Sequence, residues 1–153
     1  MANGRDEAYT PTYILTWNPR KFHWEEYRDI FRRLKDGTAT YRSDWSCRSN
    51  RPEAGDRFIL LMQGMGDKNG IVGTGIFLGN PYQYGFDTEF GQKFVDIEFR
   101  VMWDYETCDY PKTAMLKEMF PDQCWIPQMS GIRIRSAVLP EFWKQMKSFI
   151  SKL

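Results

Sequence analysis

The sequence predicts a single α+β domain, and three observations carry that prediction. Short apolar runs bounded by turn residues recur along the chain and read as buried strands. Two other segments place apolar residues at helical spacing, one near the N-terminus and one at the C-terminal end. The 153 residues suit one domain with a proper hydrophobic core, and no internal repeat, low-complexity tract or linker divides them.

Residues 1–11 read as a flexible leader ending at Pro11, and 12–153 as the domain. Tyr13 to Trp17 is a strand that Pro19 must end, because proline fixes φ and restricts the residue before it. A helix should begin at about Trp24, with Tyr27, Ile30, Phe31 and Leu34 on one stripe, Arg28, Arg32, Arg33 and Lys35 opposite, and Gly37 terminating it. Thr38 to Trp45 reads as a second strand, Arg48 to Asp56 as a polar loop, and Phe58 to Met62 as a buried strand. After the glycine-rich turn Gly64–Gly70 comes a strand from Ile71 to Leu78. Its Gly73 and Gly75 share a face and invite close approach of a backbone or ligand. Asn80 to Gln92 is a loop, and the longest strand runs from Phe94 to Trp103. A short helix spans Thr113–Phe120, Cys124–Arg135 is an extended return, and a last helix starts at about Pro140. Leu139, Phe142, Trp143, Met146, Phe149, Ile150 and Leu153 form its apolar stripe.

Charge and residue counts exclude several classes. The net charge of +1, from 21 basic and 20 acidic side chains, is not that of a protein coating nucleic acid by electrostatics alone. Any nucleic-acid binding must use a local patch or a shaped pocket. No apolar run approaches the roughly 20 residues of a membrane span, and no signal-peptide core is present, so a cytoplasmic location with no membrane partner is expected. Cys47, Cys108 and Cys124 are odd in number and widely spaced, and fit neither a disulfide framework nor paired zinc ligands. The single histidine, His23, cannot build a His-rich metal site and reads as a surface or capping residue. The glycines of residues 63–70 lack the Gly-Lys-Ser/Thr ending, and a strand follows them, which argues against a phosphate loop. The expectation is therefore a binding protein, not an enzyme, with no catalytic residues, cofactor or metal.

Aromatics supply 16% of the residues, including six tryptophans. Trp17-Asn18-Pro19 follows the first strand, Asp44-Trp45-Ser46-Cys47 closes the second, and Trp125 precedes the stretch from Ile126 to Ile132. Each places an indole beside hydrogen-bonding groups, the combination an extruded base requires: a π-face for stacking and polar groups for its edge. Arg20, Lys21, Arg48, Arg51, Arg133 and Arg135 would give a basic rim for phosphates if the strand ends cluster. The competing reading makes these tryptophans core or loop anchors. Trp103 and Trp143, on an alternating strand and a helix stripe, belong to the core. Trp24 begins a helix and pins it to the sheet, so Trp17 is the stronger pocket candidate.

These residues resemble the EVE-like domains of the PUA-like superfamily. The similarity lies in Tyr13-Ile14-Leu15-Thr16-Trp17-Asn18-Pro19, Trp24 and Trp45-Ser46-Cys47. It continues through Gly55-Asp56-Arg57-Phe58-Ile59-Leu60-Leu61, Gly70-Ile71-Val72-Gly73-Thr74-Gly75, Val95-Asp96-Ile97-Glu98-Phe99, and Trp125, Gln128 and Ser130-Gly131-Ile132. It spans Tyr13 to about Trp143 and is nearest to the modules at the N-terminus of modification-dependent HNH restriction endonucleases. The resemblance implies a small mixed β-barrel or strongly curved sheet flanked by helices. It also implies a pocket for a flipped modified base, 5-methylcytosine or 5-hydroxymethylcytosine in DNA. By similarity to the related YTH domains, Trp45, Ser46 and Cys47 would supply a cage wall. Trp17, Asn18, Trp125 and Gln128 would line the pocket, with Ser130 and Gly131 closing it. Ile126-Pro127 and Met129 depart from the more polar segment usual in these relatives. The expected partner is nucleic acid carrying a modified base, DNA ahead of RNA, with any cleavage falling to a separate nuclease or effector. Two other readings compete: a PUA-like RNA-binding protein for tRNA, rRNA or N6-methyladenine, and a nucleoside or small-molecule binder.

Overall fold

The computed structural model describes residues 7–37, 39–83 and 93–153. Its centre is a mixed seven-stranded sheet. β1 (Thr12–Trp17) pairs in parallel with β3 (Arg57–Met62), bringing Trp17 opposite Met62. A parallel pair needs a long crossover, and here the crossover carries α1 (Tyr27–Lys35) and β2 (Tyr41–Ser46). β4 (Gly70–Phe77) runs antiparallel to β3, and β6 (Lys93–Met102) antiparallel to both β4 and β2. β5 (Tyr82–Gln83) lies against the start of β6, and β7 (Ile132–Arg133) against β1. The order is β2-β6-β4-β3-β1-β7. β3 and β4 are buried almost throughout, which explains why Phe58 to Met62 reads as a continuous apolar run and not as an alternating one.

The sheet is not closed into a barrel, since no ladder joins β2 to β1 or β7 among the described residues. It is nevertheless strongly curled. β2 and β1 lie four places apart in the order, about 19 Å in a flat sheet, beyond an indole's reach. Yet the Trp45 indole N–H donates to the Thr16 carbonyl at 2.9 Å. Register shifts at Leu60/Leu61 and Thr74/Gly75 supply bends. The Gly73/Gly75 face admits a neighbour, as its spacing predicts. A side chain at Gly75 would strike the Glu98 carbonyl, and one at Gly73 would meet the Phe99 ring at 3.2 Å. The neighbours are therefore the next strand's backbone and an aromatic ring, and Phe99 in turn packs edge-on against Phe58 at 5.1 Å.

α1 buries the predicted stripe of Tyr27, Ile30, Phe31 and Leu34, and ends at Gly37 with φ +68°. It starts three residues later than expected. Pro19 forces the chain into turns closed by the Lys21 and Phe22 N–H groups on the Asn18 carbonyl, so Trp24 lies before the helix. α2 (Thr113–Met119) is short and packs on β4. α3 (Leu139–Ser151) opens with proline in its first turn and buries Leu139, Phe142, Trp143 and Met146. Phe149 and Ile150 are half-buried, and Leu153 lies past the helix end, exposed, so it leaves the stripe. The end of the expected leader is structured: Glu7–Tyr9 form a 3-10 turn that packs on α3. Residues 1–6, Thr38 and most of the expected 80–92 loop lie outside the described residues. Among the described residues no helix is long and apolar enough to cross a membrane.

Candidate functional site

The strap between β1 and α1, residues 18–26, lies over a cluster of aromatic rings that includes Trp17, Trp24, Tyr27 and Trp45. It starts where β1 ends. The Trp17 carbonyl accepts the Gln63 N–H at 2.8 Å, and the Trp17 indole N–H donates to the Phe22 carbonyl at 3.0 Å. The Asn18 side-chain oxygen accepts the Arg20 N–H at 3.0 Å, a local turn that asparagine favours. Its carboxamide lies on Gly64, where an added side chain would come within 2.5 Å of the Asn18 oxygen. Asn18 is thus held in one pose, with part of its hydrogen-bonding capacity already used.

The strap borders a cavity of about 870 Å³, within the size range of ligand pockets. Trp17, Trp24, Trp45, Phe22, Tyr41 and Phe94 contribute rings to it, and Asn18, Ser43, Ser46, Lys21, Glu26 and Asp44 contribute polar groups. Trp24 is the keystone. Its ring lies 5.4 Å from Trp17 at 89°, 5.0 Å from Trp45 at 57° and 5.5 Å from Phe99. Phe22 is 53% exposed and stands edge-on to Trp45 at 6.2 Å. An exposed phenylalanine beside a tryptophan at a cavity mouth suits a planar aromatic ligand.

A second cavity, of about 670 Å³, shares Trp17 and Trp24 with the first. Tyr27, Tyr105 and Met65 complete its apolar wall, and Arg20, His23, Glu25, Arg28 and Glu106 its rim. Arg28 and Glu106 are ion-paired at 2.5 Å. The Tyr27 hydroxyl donates to the Trp103 carbonyl, and burial pushes that phenol's pKa far up.

Indole N–H accounting separates the tryptophans. Trp17, Trp45, Trp125 and Trp143 all donate to protein acceptors. Trp103 Nε1 is sealed in the core without a partner among the described residues. Trp24 Nε1 has no acceptor among the described residues and is not sealed, leaving a donor at the wall common to both cavities.

The predicted site residues divide into three groups. Trp17, Asn18, Trp45 and Ser46 come together at the larger cavity, with Lys21 beside them and Arg20 at the smaller one. Cys47, Ser130 and Gly131 stand behind it. Cys47 is fully buried, and burial pushes its thiol pKa up. Ser130 Oγ accepts the Thr16 N–H at 3.1 Å, and the Ser130 carbonyl accepts the Arg48 N–H at 2.9 Å. A side chain at Gly131 would come within 2.9 Å of Cys47 Sγ. These three brace β1 against the chain after β2 and line neither cavity.

Trp125 and Gln128 do not join the site. Trp125 is 1% exposed, stacked on Phe142 at 5.6 Å and 23°, with its N–H on the Phe120 carbonyl. Gln128 is exposed and lines neither cavity. The basic rim is also not one cluster. Because β7 runs antiparallel to β1, the chain after Gly131 travels away from Trp17, and Arg133 pairs with Tyr13, about 13 Å down the strand. Arg51 and Arg133 both act on Tyr13, Arg135 donates to the Asp122 carbonyl, and Arg48 reaches the Met129 sulfur. As expected, Trp103 and Trp143 line neither cavity.

Sequence reasoning missed Phe22, Tyr41, Asp44 and Phe94 as lining residues, and placed Trp24 on the helix instead of in the wall. The one available signal was the short interval from Trp17 to Trp24 across a proline. Among the described residues no group of three or more His, Cys, Asp or Glu is placed to hold a metal ion.

No protein-family model matches the chain, and no curated protein matches it in sequence. Two solved structures share its fold. Protein PSPTO5229 from Pseudomonas syringae superposes with a TM-score of 0.58 at 13% identity, covering 90% of this chain and 97% of that one. Rpa0253 from Rhodopseudomonas palustris gives a TM-score of 0.53 at 18% identity, covering 94% of each. At these identities the likeness concerns the fold alone: a mixed α+β domain built on a curled, open seven-stranded sheet.

Proposed function

We propose that this chain is a non-catalytic, EVE-like (PUA-like) module that reads a flipped modified base, 5-methylcytosine or 5-hydroxymethylcytosine in DNA, in the larger aromatic cavity. The observation that carries the reading is the convergence of Trp17, Trp24 and Trp45 on one cavity with Asn18, Ser46 and Asp44 at its edge. The rings offer stacking faces, since the Trp17 and Trp45 N–H groups are already used by the backbone. The polar groups offer partners to a base edge. The cavity carries Lys21 against Glu26 and Asp44, which favours recognition by pocket shape over phosphate attraction.

Burial of one methyl group is worth about 0.8 kcal/mol, roughly fourfold in affinity. Larger discrimination must come from hydrogen bonding and fit. The test is titration of matched oligonucleotides differing only in unmodified, 5-methyl- or 5-hydroxymethylcytosine, with N6-methyladenine RNA alongside. A preference of at least fourfold for one modified cytosine, lost in Trp45→Ala, is expected. Equal affinity for all probes sinks the reading, and preference for the RNA moves it to the RNA-binding class.

A further inference from the structure

We infer that the second cavity is a subsite for the nucleobase next to the flipped one, with the Trp17–Trp24 pair as the partition between two stacked bases. This rests on the base-reading function proposed above. Four aromatic side chains, Trp17, Trp24, Tyr27 and Tyr105, wall the cavity, and its 670 Å³ exceeds what a single ring needs. Stacking on such walls tolerates any base, because every base has a π-face.

Charge decides what kind of group enters. The rim places Arg20 and Arg28 against Glu25 and Glu106, and Arg28 is already paired with Glu106. A phosphate site would need an excess of cations that this balance removes, whereas a neutral planar ring is suited by it. Two of the cavity's lining residues, Trp24 and Tyr105, carry donors, the indole N–H and the phenol O–H, that have no acceptor among the described residues.

Connectivity supports consecutive nucleotides. The cavities share a wall, so their occupants lie side by side. Arg20 borders one cavity and Lys21 the other, adjacent in sequence beside that wall. A phosphodiester linking the two bases stays outside both cavities and passes this wall beside Arg20 and Lys21.

The experiment uses single-stranded trinucleotides with a central 5-methylcytosine, in which the 5′ or the 3′ neighbour is either a normal or an abasic nucleotide. The abasic probes keep every phosphate and remove only a ring. For the wild-type protein, one of the two abasic positions should weaken binding by about tenfold. Tyr105→Ala, at a residue that lines the second cavity and not the first, should erase that penalty, and Tyr105→Phe should keep most of it. Trp45→Ala should weaken all probes together. If neither abasic position costs affinity, or if Tyr105→Ala retains the full penalty, the second subsite is overturned while the base-reading function stands. If the wild-type protein does not distinguish 5-methylcytosine from cytosine in the intact trinucleotide, and Trp45→Ala binds as well as wild type, both fall.

Discussion

Two clusters in this molecule are built from the same kind of side chain and do opposite things. On the buried face of α3, Trp125, Phe142 and Trp143 are at most 2% exposed, Trp125 stacks on Phe142 at 5.6 Å, Trp143 meets Phe142 edge-on at 5.1 Å, and both indole N–H groups have acceptors. At the β1–α1 strap the Trp24 ring lies 5.4 Å from Trp17 and 5.0 Å from Trp45, all three are 4–9% exposed, and they border two cavities, with Phe22 exposed and the Trp24 N–H unpaired among the described residues. What separates them is the cover. An amphipathic helix seals the first cluster. Over the second lies only an irregular strap that Pro19 keeps from becoming helix. Aromatic content therefore measures burial energy, while an unfilled wall and an unused donor mark the candidate site.

The largest effect should come from the sealed cluster. Trp125→Ala should cost about 3–5 kcal/mol of stability, measured by urea denaturation, while leaving base discrimination intact in protein that remains folded. Lost discrimination in folded Trp125→Ala would break the division between the two clusters.

A graded effect should come from pH. Burial raises the pKa of the Tyr27 phenol, which lines the smaller cavity, and of the Cys47 thiol, which stands behind the larger one. Each group stays protonated in the folded state where the unfolded chain would ionise. Their stabilisation is thus complete below the ordinary values of 9.0 and 10.0 and is lost as pH rises above them. Denaturant titrations should show falling stability above about pH 9, with a shallower slope in Tyr27→Phe. An unchanged slope would remove Tyr27 from this account.

The smallest effect is also the sharpest. Trp45→Phe and Trp24→Phe remove the same ring volume from buried positions, but only Trp45→Phe also removes a hydrogen bond to Thr16, and it should cost about 1 kcal/mol more than Trp24→Phe. Equal losses in thermal or chemical unfolding would contradict the N–H accounting that distinguishes Trp24.

Much of the fold was legible in the chain. The stripe from Tyr27 to Leu34 and the run from Phe58 to Met62 report their own burial, because periodicity is local and each element must hide one face. Half of the candidate pocket was legible for a related reason: Trp17 and Trp45 close strands, where side chains are delivered to a rim. The rest was not. Trp125 sits beside hydrogen-bonding groups just as they do, yet α3 covers it. Arg133 and Arg135 follow Gly131 closely in sequence, yet β7 carries them down β1.

The amino-acid sequence by itself determined the elements, the proline that ends β1 and the glycines that let β4 lie close to its neighbours. These depend on side-chain spacing and backbone sterics, which act over a few residues. Only the tertiary structure decided that β2 curls back to β1, that Trp24 stands between two cavities, and which tryptophans are sealed. Those outcomes depend on which distant segments come together to pack, and that information is spread over the whole chain instead of any one stretch of it.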